Sequence, residues 1–321
     1  MTDHRRDVLR SPTEERNPRT EQIDQLGSRP LVDLVLGEDR GVVAAVEAAA
    51  GALAELVDHA VRAVDDGYRL HYVGSGTSGR LGVLDAVELL PTYDVGEETV
   101  RAHLAGGLDA LVHAAEGAED DDAAGAELAG AFSAGDLVIG IAASGRTPYV
   151  GGALRAARRV GAATGLITNN PHAPLAEHSD VIVALDTGPE VVTGSTRMRA
   201  ATAQKIALNT FSTAAMVRLG RTYSNLMISV RATNEKLRAR TVRMLVQASG
   251  AEPDRCAAVL EAAGREVRPA LVALLAGTDD IAAARTAAER FPPDPDRTGD
   301  PAGVRAAVAA LGAVSSGGPQ P

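Results

Sequence analysis

This chain of 321 residues has no tryptophan, a single cysteine and only 2% aromatic residues. With so few large rings available, the core has to be packed from Ala, Val, Leu and Ile. One cysteine, Cys256, excludes an internal disulfide framework and a multi-cysteine metal site, and it reads as a small buried hydrophobe rather than a nucleophile. No apolar run approaches the roughly 18 residues of a membrane-spanning helix. The first residues, MTDHRRDVLRSPTEERNPRTEQ, carry no apolar stretch of the kind a secretion signal needs. The expectation is a soluble, cytoplasmic protein with no membrane partner. Basic residues are in the minority, 32 Lys and Arg against 42 Asp and Glu, and the net charge of −10 argues against a nucleic-acid-binding surface. The 7 histidines show neither H-x-x-x-H nor H-E-x-x-H spacing, so no metal site is expected.

What the chain does contain is glycine and hydroxyl at chosen places. HYVGSGTSGRLGVLDAVELLP, residues 71–91, reads as a short apolar strand that runs through Gly74-Ser75-Gly76-Thr77-Ser78-Gly79 straight into an amphipathic helix. Short apolar segments at 69–73, 99–104, 136–142, 163–168 and 180–185 alternate with helical patterns at 78–90, 108–119, 149–160 and, briefly, 174–178. Alternation of that kind predicts an α/β fold, a five-stranded parallel sheet sandwiched by helices. Before it, a long helix is expected over 42–66, closed by Gly67. After it come a helix over 198–219, several further helices to residue 291, and a Pro/Gly-rich tail with a helical stretch at 302–311. The first 22 residues read as a disordered or extended arm and the last ten as mobile.

In a parallel sheet, ligands bind beyond the C-terminal strand ends. Two strands end there in glycine loops rich in hydroxyls. The first offers Ser75, Gly76, Thr77 and Ser78; the second, AASGRTP, offers Ser144, Gly145 and Thr147. Glycine lets the backbone approach a ligand closely, and free N–H groups at a helix start attract an anion, most often phosphate. The first loop lacks the lysine of a Walker A and the last glycine of a dinucleotide fingerprint. Ser144 could also be read as a nucleophile, but it has no G-x-S-x-G elbow around it. A third loop, 187–197, presents Glu190, Thr193 and Ser195, either to a sugar or as turn and cap residues. Among carboxylates, Glu88 follows Asp85 by three positions on the helix after the first loop. Glu116 and Glu119 stand beside Asp120, Asp121 and Asp122 at what reads as the end of the 108–119 helix. Acidic groups there oppose the helix dipole, so these are either a solvated patch, a functional carboxylate, or a sign that the helix ends before Gly117.

GSGTSGRLGVLDAVELLPTY, AAEGAEDD, GIAASGRTPYVGGALRAAR, GPEVVTGSTRMRAATAQK and ATNEKLRARTVRM occur in this order. Together they resemble the N-acetylmuramic acid 6-phosphate etherase family, from TEERNPRT at residue 13 to about Gly277. The resemblance implies a SIS (sugar isomerase) sugar-phosphate domain at 59–222, flanked by an N-terminal arm and helices at 1–58 and a C-terminal helical region at 223–291; it does not cover the Pro/Gly-rich tail at 292–321. It implies a homodimer and a phosphorylated amino sugar as substrate. The D-lactyl ether of N-acetylmuramate 6-phosphate would be cleaved to N-acetylglucosamine 6-phosphate and D-lactate, within the recycling of cell-wall amino sugars. Two glutamates carry that chemistry, and the motifs map them to Glu88, as proton donor to the departing lactate, and Glu119, as base at C2. Ser75, Gly76, Thr77, Ser78, Ser144, Gly145 and Thr147 fall to the phosphate, and Glu190, Thr193 and Ser195 to the sugar; Lys205, Arg197 and Asn234 could also reach it. No metal or organic cofactor is implied, since both proton transfers are carboxylate work. Val87, Leu89 and Leu90 depart from the smaller or more polar residues the family often has around this glutamate.

Two other functions fit the same loops. A non-catalytic sugar-phosphate regulator, such as the glucokinase regulatory protein, needs the hydroxyls but not two acid–base glutamates. An aldose–ketose isomerase on the same fold needs a base near C2 but not the full set of flanking motifs.

Overall fold

In the computed structural model, which describes residues 11–113, 115–229 and 235–316, five short apolar segments form one parallel sheet. They are β1 (Leu70–Gly74), β2 (Val100–Leu104), β3 (Leu137–Ile141), β4 (Ala163–Thr168) and β5 (Val181–Ala184), in the order β2-β1-β3-β4-β5. Leu70 pairs with Val100 on one side and Leu137 on the other. Every residue of β1 and β3 is buried, as expected of central strands covered on both faces, whereas the edge strands β2 and β5 show partial exposure. The predicted five-stranded α/β architecture is thus present.

Helices α1 (Ser28–Asp39), α2 (Val42–Ala48), α3 (Ala50–Asp65), α4 (Gly76–Tyr93), α5 (Asp122–Glu127), α6 (Pro148–Val160) and α7 (Arg199–Arg218) accompany the sheet. The helix expected over 42–66 is two helices that meet at Ala49. In α3, Leu53, Leu56, Val57, Ala60 and Val61 are buried at helical spacing, and Leu56 reaches Gly165 of β4. On α6, Gly152 lets α5 come so close that a methyl group there would strike the carbonyl of Asp122. The segment 108–119 is not a helix. It forms two short 3-10 turns, Leu108–Leu111 and Ala118–Asp120, with Gly117 left-handed at φ 74° between them. Glu119 therefore precedes a helix instead of ending one, and Asp121 caps α5 by accepting from Ala124 N at 2.9 Å. The dipole objection disappears.

Residues 11–22 are an ordered arm rather than a disordered one. Thr13, Asn17 and Thr20 are buried; Gly194 N donates to Thr13 O at 3.2 Å and Thr20 Oγ1 to Val191 O at 2.8 Å. Glu38 on α1 accepts from Asn17 Nδ2 (2.8 Å) and from Arg19 Nε and Nη2 (both 2.6 Å).

The chain divides into two compact units, residues up to 87 with 96–213, and 88–95 with residues from 214 on; α4 and α7 each start in the first and end in the second. The second unit holds a small hairpin, β6 (Thr222–Tyr223) with β7 (Leu226–Met227), which periodicity does not reveal, and α8 (Glu235–Ser249), α9 (Pro253–Ala262), α10 (Val267–Ala276), α11 (Ile281–Arg290) and α12 (Val304–Ser316). Leu245, Cys256, Leu260, Leu271, Ala284, Val304 and Ala307 form its core. From the Pro/Gly-rich segment, Ala302, Val304 and Ala307 belong to this core, with Val308 and Leu311 packed against it.

Candidate active site

β1 ends at Gly74 and α4 begins at Gly76, so only Ser75 separates strand from helix. Gly79 permits this: a side-chain carbon there would lie 2.6 Å from Gly74 O, inside contact distance. Gly76 itself sits at φ 52°, the left-handed region. One turn on, Arg80 donates from Nε to Ala110 O (2.9 Å) and from Nη2 to His113 O (3.2 Å), which fixes the 108–113 segment beside the loop. Between them lies a cavity of about 350 Å³ whose wall includes Ser75, Gly76, Arg80, Glu116 and Glu119.

The second loop leaves β3 and enters α6. Its backbone is held from β4 and the following turn: Asn170 Nδ2 donates to Ser144 O, and Leu175 N to Gly145 O, both at 3.0 Å. Thr147 occupies the N-cap position of α6 but its side chain makes no capping bond. Glu14, Glu119, Asp120, Ser144, Arg146 and Thr147 line a second cavity, of about 200 Å³. Glu119 is common to both. A carboxylate thus stands between two glycine loops, each at a helix N-terminus that favours an anion. That arrangement can hold a phosphorylated ligand and exchange a proton with it.

Residues 52–158 match the glucokinase regulatory protein N-terminal SIS domain model, and residues 114–214 the SIS domain model. The chain is 51% identical to the N-acetylmuramic acid 6-phosphate etherase of Thermobifida fusca over 269 residues, 84% of this chain and 88% of that one. It is 50% identical to that of Symbiobacterium thermophilum over 272 residues, 84% and 91% of the two chains. The chain belongs to the N-acetylmuramic acid 6-phosphate etherase family. Among solved structures it is similar to a phosphoheptose isomerase from Francisella tularensis, with a TM-score of 0.47 and 14% identity over 59% of this chain and 98% of that one.

Of the residues that the etherase motifs single out, Ser75, Gly76, Glu119, Ser144 and Thr147 line the two cavities. Thr77 and Ser78 lie in the first turn of α4 and Gly145 is buried beneath its loop, at φ 66°; none of the three is on either wall. Glu88 is exposed on α4, twelve residues past Gly76, which is ~18 Å along the axis at 1.5 Å per residue. It lines neither cavity that Glu119 lines.

Glu190 has a different task from the one expected of a sugar ligand. It is fully buried, and its two carboxylate oxygens accept from Arg199 N and Ala200 N, each at 2.9 Å. Burial pushes its pKa up, against the amides that pull it down. It caps α7 with both oxygens. Thr193 is exposed and Ser195 half-buried, both off the cavity walls, as are Arg197 and Lys205. Asn234 lies outside the described residues.

Three wall residues escape a reading by motif role. Arg80 and Arg146 stand inside GSGTSGR and ASGRTPY, where the hydroxyls draw attention first. Glu14 is more than a hundred residues from Glu119, and only the docking of the arm on the 187–197 loop brings it there.

One turn before Glu88, Asp85 is buried and accepts from Tyr72 OH (2.9 Å), Asn209 Nδ2 (2.8 Å) and Ser212 Oγ (3.0 Å). Burial raises its pKa, and the three donors oppose that rise. Among the described residues, no group of three or more His, Cys, Asp or Glu is arranged to hold a metal ion.

Proposed function

We propose that the chain cleaves the D-lactyl ether of N-acetylmuramate 6-phosphate, giving N-acetylglucosamine 6-phosphate and D-lactate. One observation supports this above the others: Glu119 lies on the walls of two adjoining cavities, each opening on a glycine–hydroxyl loop. The etherases of Thermobifida fusca and Symbiobacterium thermophilum, half-identical over most of their length, support the same substrate. Ring opening exposes an aldehyde at C1 and so acidifies the hydrogen on C2. Glu119, as carboxylate, takes that proton. The C3–O bond then breaks as a protonated carboxyl, assigned to Glu88, gives its proton to the departing lactyl oxygen. D-lactate leaves behind a C2–C3 double bond conjugated to the aldehyde. Water adds at C3 and a proton returns to C2, with the proton transfers reversed. Ser75, Gly76, Ser144 and Thr147 hold the phosphate during both halves. The setting is amino-sugar recycling in a cytoplasm.

The working form is a homodimer in which a second copy brings its own α4 to the cavity of the first. Supporting this, Glu88 is exposed, and large apolar side chains surround it on α4. Leu84, Val87 and Leu90 are 49%, 62% and 56% exposed. Leu84, one turn before Glu88, lies on the same face.

The test is incubation with N-acetylmuramate 6-phosphate and enzymatic detection of free D-lactate. Release is expected from the wild type and loss of release from Glu119→Gln. A wild type that binds the sugar phosphate tightly but frees no lactate points instead to a regulator. Conversion of aldose phosphates to ketoses points to an isomerase.

A further inference from the structure

Arg146 has guanidinium atoms without a partner among the described residues, in a place where one is expected. Its Nε and Nη1 atoms are buried and have no hydrogen-bond partner among the described residues. The side chain nonetheless lines the cavity that holds Ser144, Thr147, Glu14 and Glu119. Arg80, on the neighbouring wall, shows the contrast, since its guanidinium is committed to the carbonyls of Ala110, Leu111 and His113. Buried guanidinium N–H groups left without an acceptor are costly, and a guanidinium matches one kind of ligand group best, an oxyanion.

Granting the etherase reading above, the substrate carries two anions: the phosphate on C6 and the carboxylate of the lactyl arm on C3. The phosphate has neutral donors waiting, in the hydroxyls and free amides of the two glycine loops. The second anion calls for a charge instead, and the second loop carries one in Arg146. Glu119 removes a proton from C2, one bond from the carbon that bears the lactyl arm. The negative lactyl carboxylate must therefore come close to a negative base, and the cavity wall adds Glu14 and Asp120. Two carboxylates brought together in a cavity disfavour each other's ionised form unless a cation stands by them. Arg146, on the same wall as Glu119, is that cation.

We propose that the Arg146 guanidinium pairs with the lactyl carboxylate, and so distinguishes the ether substrate from the same sugar phosphate without the lactyl arm. It is a specificity residue: the phosphate grip alone would accept both sugars, and the product would compete with the substrate on equal terms.

The experiment is equilibrium binding in the full-length Glu119→Gln background, which prevents turnover. Two ligands are compared, N-acetylmuramate 6-phosphate and N-acetylglucosamine 6-phosphate. Adding Arg146→Met is expected to weaken the first by about tenfold or more, the size of one lost charge-assisted pair, and to leave the second within about twofold. Retained binding of the second ligand also shows that the loops are intact. Arg146→Lys keeps the charge but loses the fork, and should fall between. Equal weakening of both ligands in both variants overturns the proposal and moves Arg146 to the phosphate; no weakening of either overturns it in favour of a structural arginine. The etherase reading has its own control. Wild-type protein that releases no D-lactate refutes that reading, whereas lactate release with the wrong binding pattern refutes only the role of Arg146.

Discussion

Asn209 on α7 donates its side-chain N–H to Asp85 on α4 at 2.8 Å, across a separation of 124 residues. With Tyr72 OH and Ser212 Oγ on the same carboxylate, Asp85 closes a buried polar knot among β1, α4 and α7, one helical turn before Glu88. Asp85→Ala leaves three buried donors without an acceptor and is expected to cost about 2–4 kcal/mol, measured by urea denaturation. Asp85→Asn keeps one acceptor and should cost less. If Asp85 also orients Glu88, the Asn variant loses kcat with little change in KM.

Glu190 gives a second test of a buried carboxylate. Glu190→Ala removes both acceptors from the first amides of α7 and is expected to destabilise the protein by about 1–3 kcal/mol. Affinity for sugar phosphates should be nearly unchanged. A large loss of affinity with normal stability would return Glu190 to the substrate.

A histidine pair makes stability depend on pH. His71 Nδ1 and His103 Nε2 lie 2.9 Å apart, and His71 Nε2 is 3.2 Å from Asp136 Oδ2. Burial holds both imidazoles below the usual 6.5, His103 at about 4. The unfolded chain therefore binds protons that the folded chain refuses. Stability is expected to fall as pH drops from about 6.5 towards 4, with a slope of up to about 1.4 kcal/mol per pH unit for each such imidazole. Denaturation curves at pH 7, 5.5 and 4.5 read this directly. Replacing His103 with Leu should flatten the slope; an unchanged slope would assign it to other groups.

The arm is anchored by Glu38, whose pKa lies at about 2, chiefly because it accepts hydrogen bonds from Arg19. Its contribution is complete above the unfolded value of 4.5 and is lost progressively as pH falls from there through about 2. Glu38→Ala leaves Asn17 and Arg19 without their acceptor. The expected result is protease cleavage within residues 11–22 at neutral pH and a raised KM, since Glu14 leaves the cavity wall with the arm.

If each site draws Glu88 from a second copy, Glu88→Gln and Glu119→Gln proteins, each inactive, complement one another. Random mixing makes half of the dimers mixed, and one of the two sites in each mixed dimer has both glutamates, so about a quarter of wild-type activity should return. No recovery after subunit exchange would place both glutamates of a site in one chain.

What the sequence determines by itself is whatever local physics encodes. The strands at β1, β3 and β4 are short apolar runs. The loops at Ser75 and Ser144 announce themselves by their glycines, which adopt φ 52° at Gly76 and φ 66° at Gly145 at no steric cost. The order of motifs carries the family, since each motif is contiguous. The reading fails at 108–119, where apolar spacing suggests a helix and Gly117 breaks it into two turns. It also misjudges the arm, whose Thr13, Asn17 and Thr20 are polar yet buried by partners far along the chain. Only the tertiary structure decides that Glu190 caps α7, that Glu14 and Glu119 line one cavity, and that Arg146 beside them has buried N–H groups without an acceptor among the described residues. These facts depend on where a polar side chain finds its hydrogen-bond partner. Periodicity records only which face of an element is apolar, and a partner a hundred residues away leaves no mark in it.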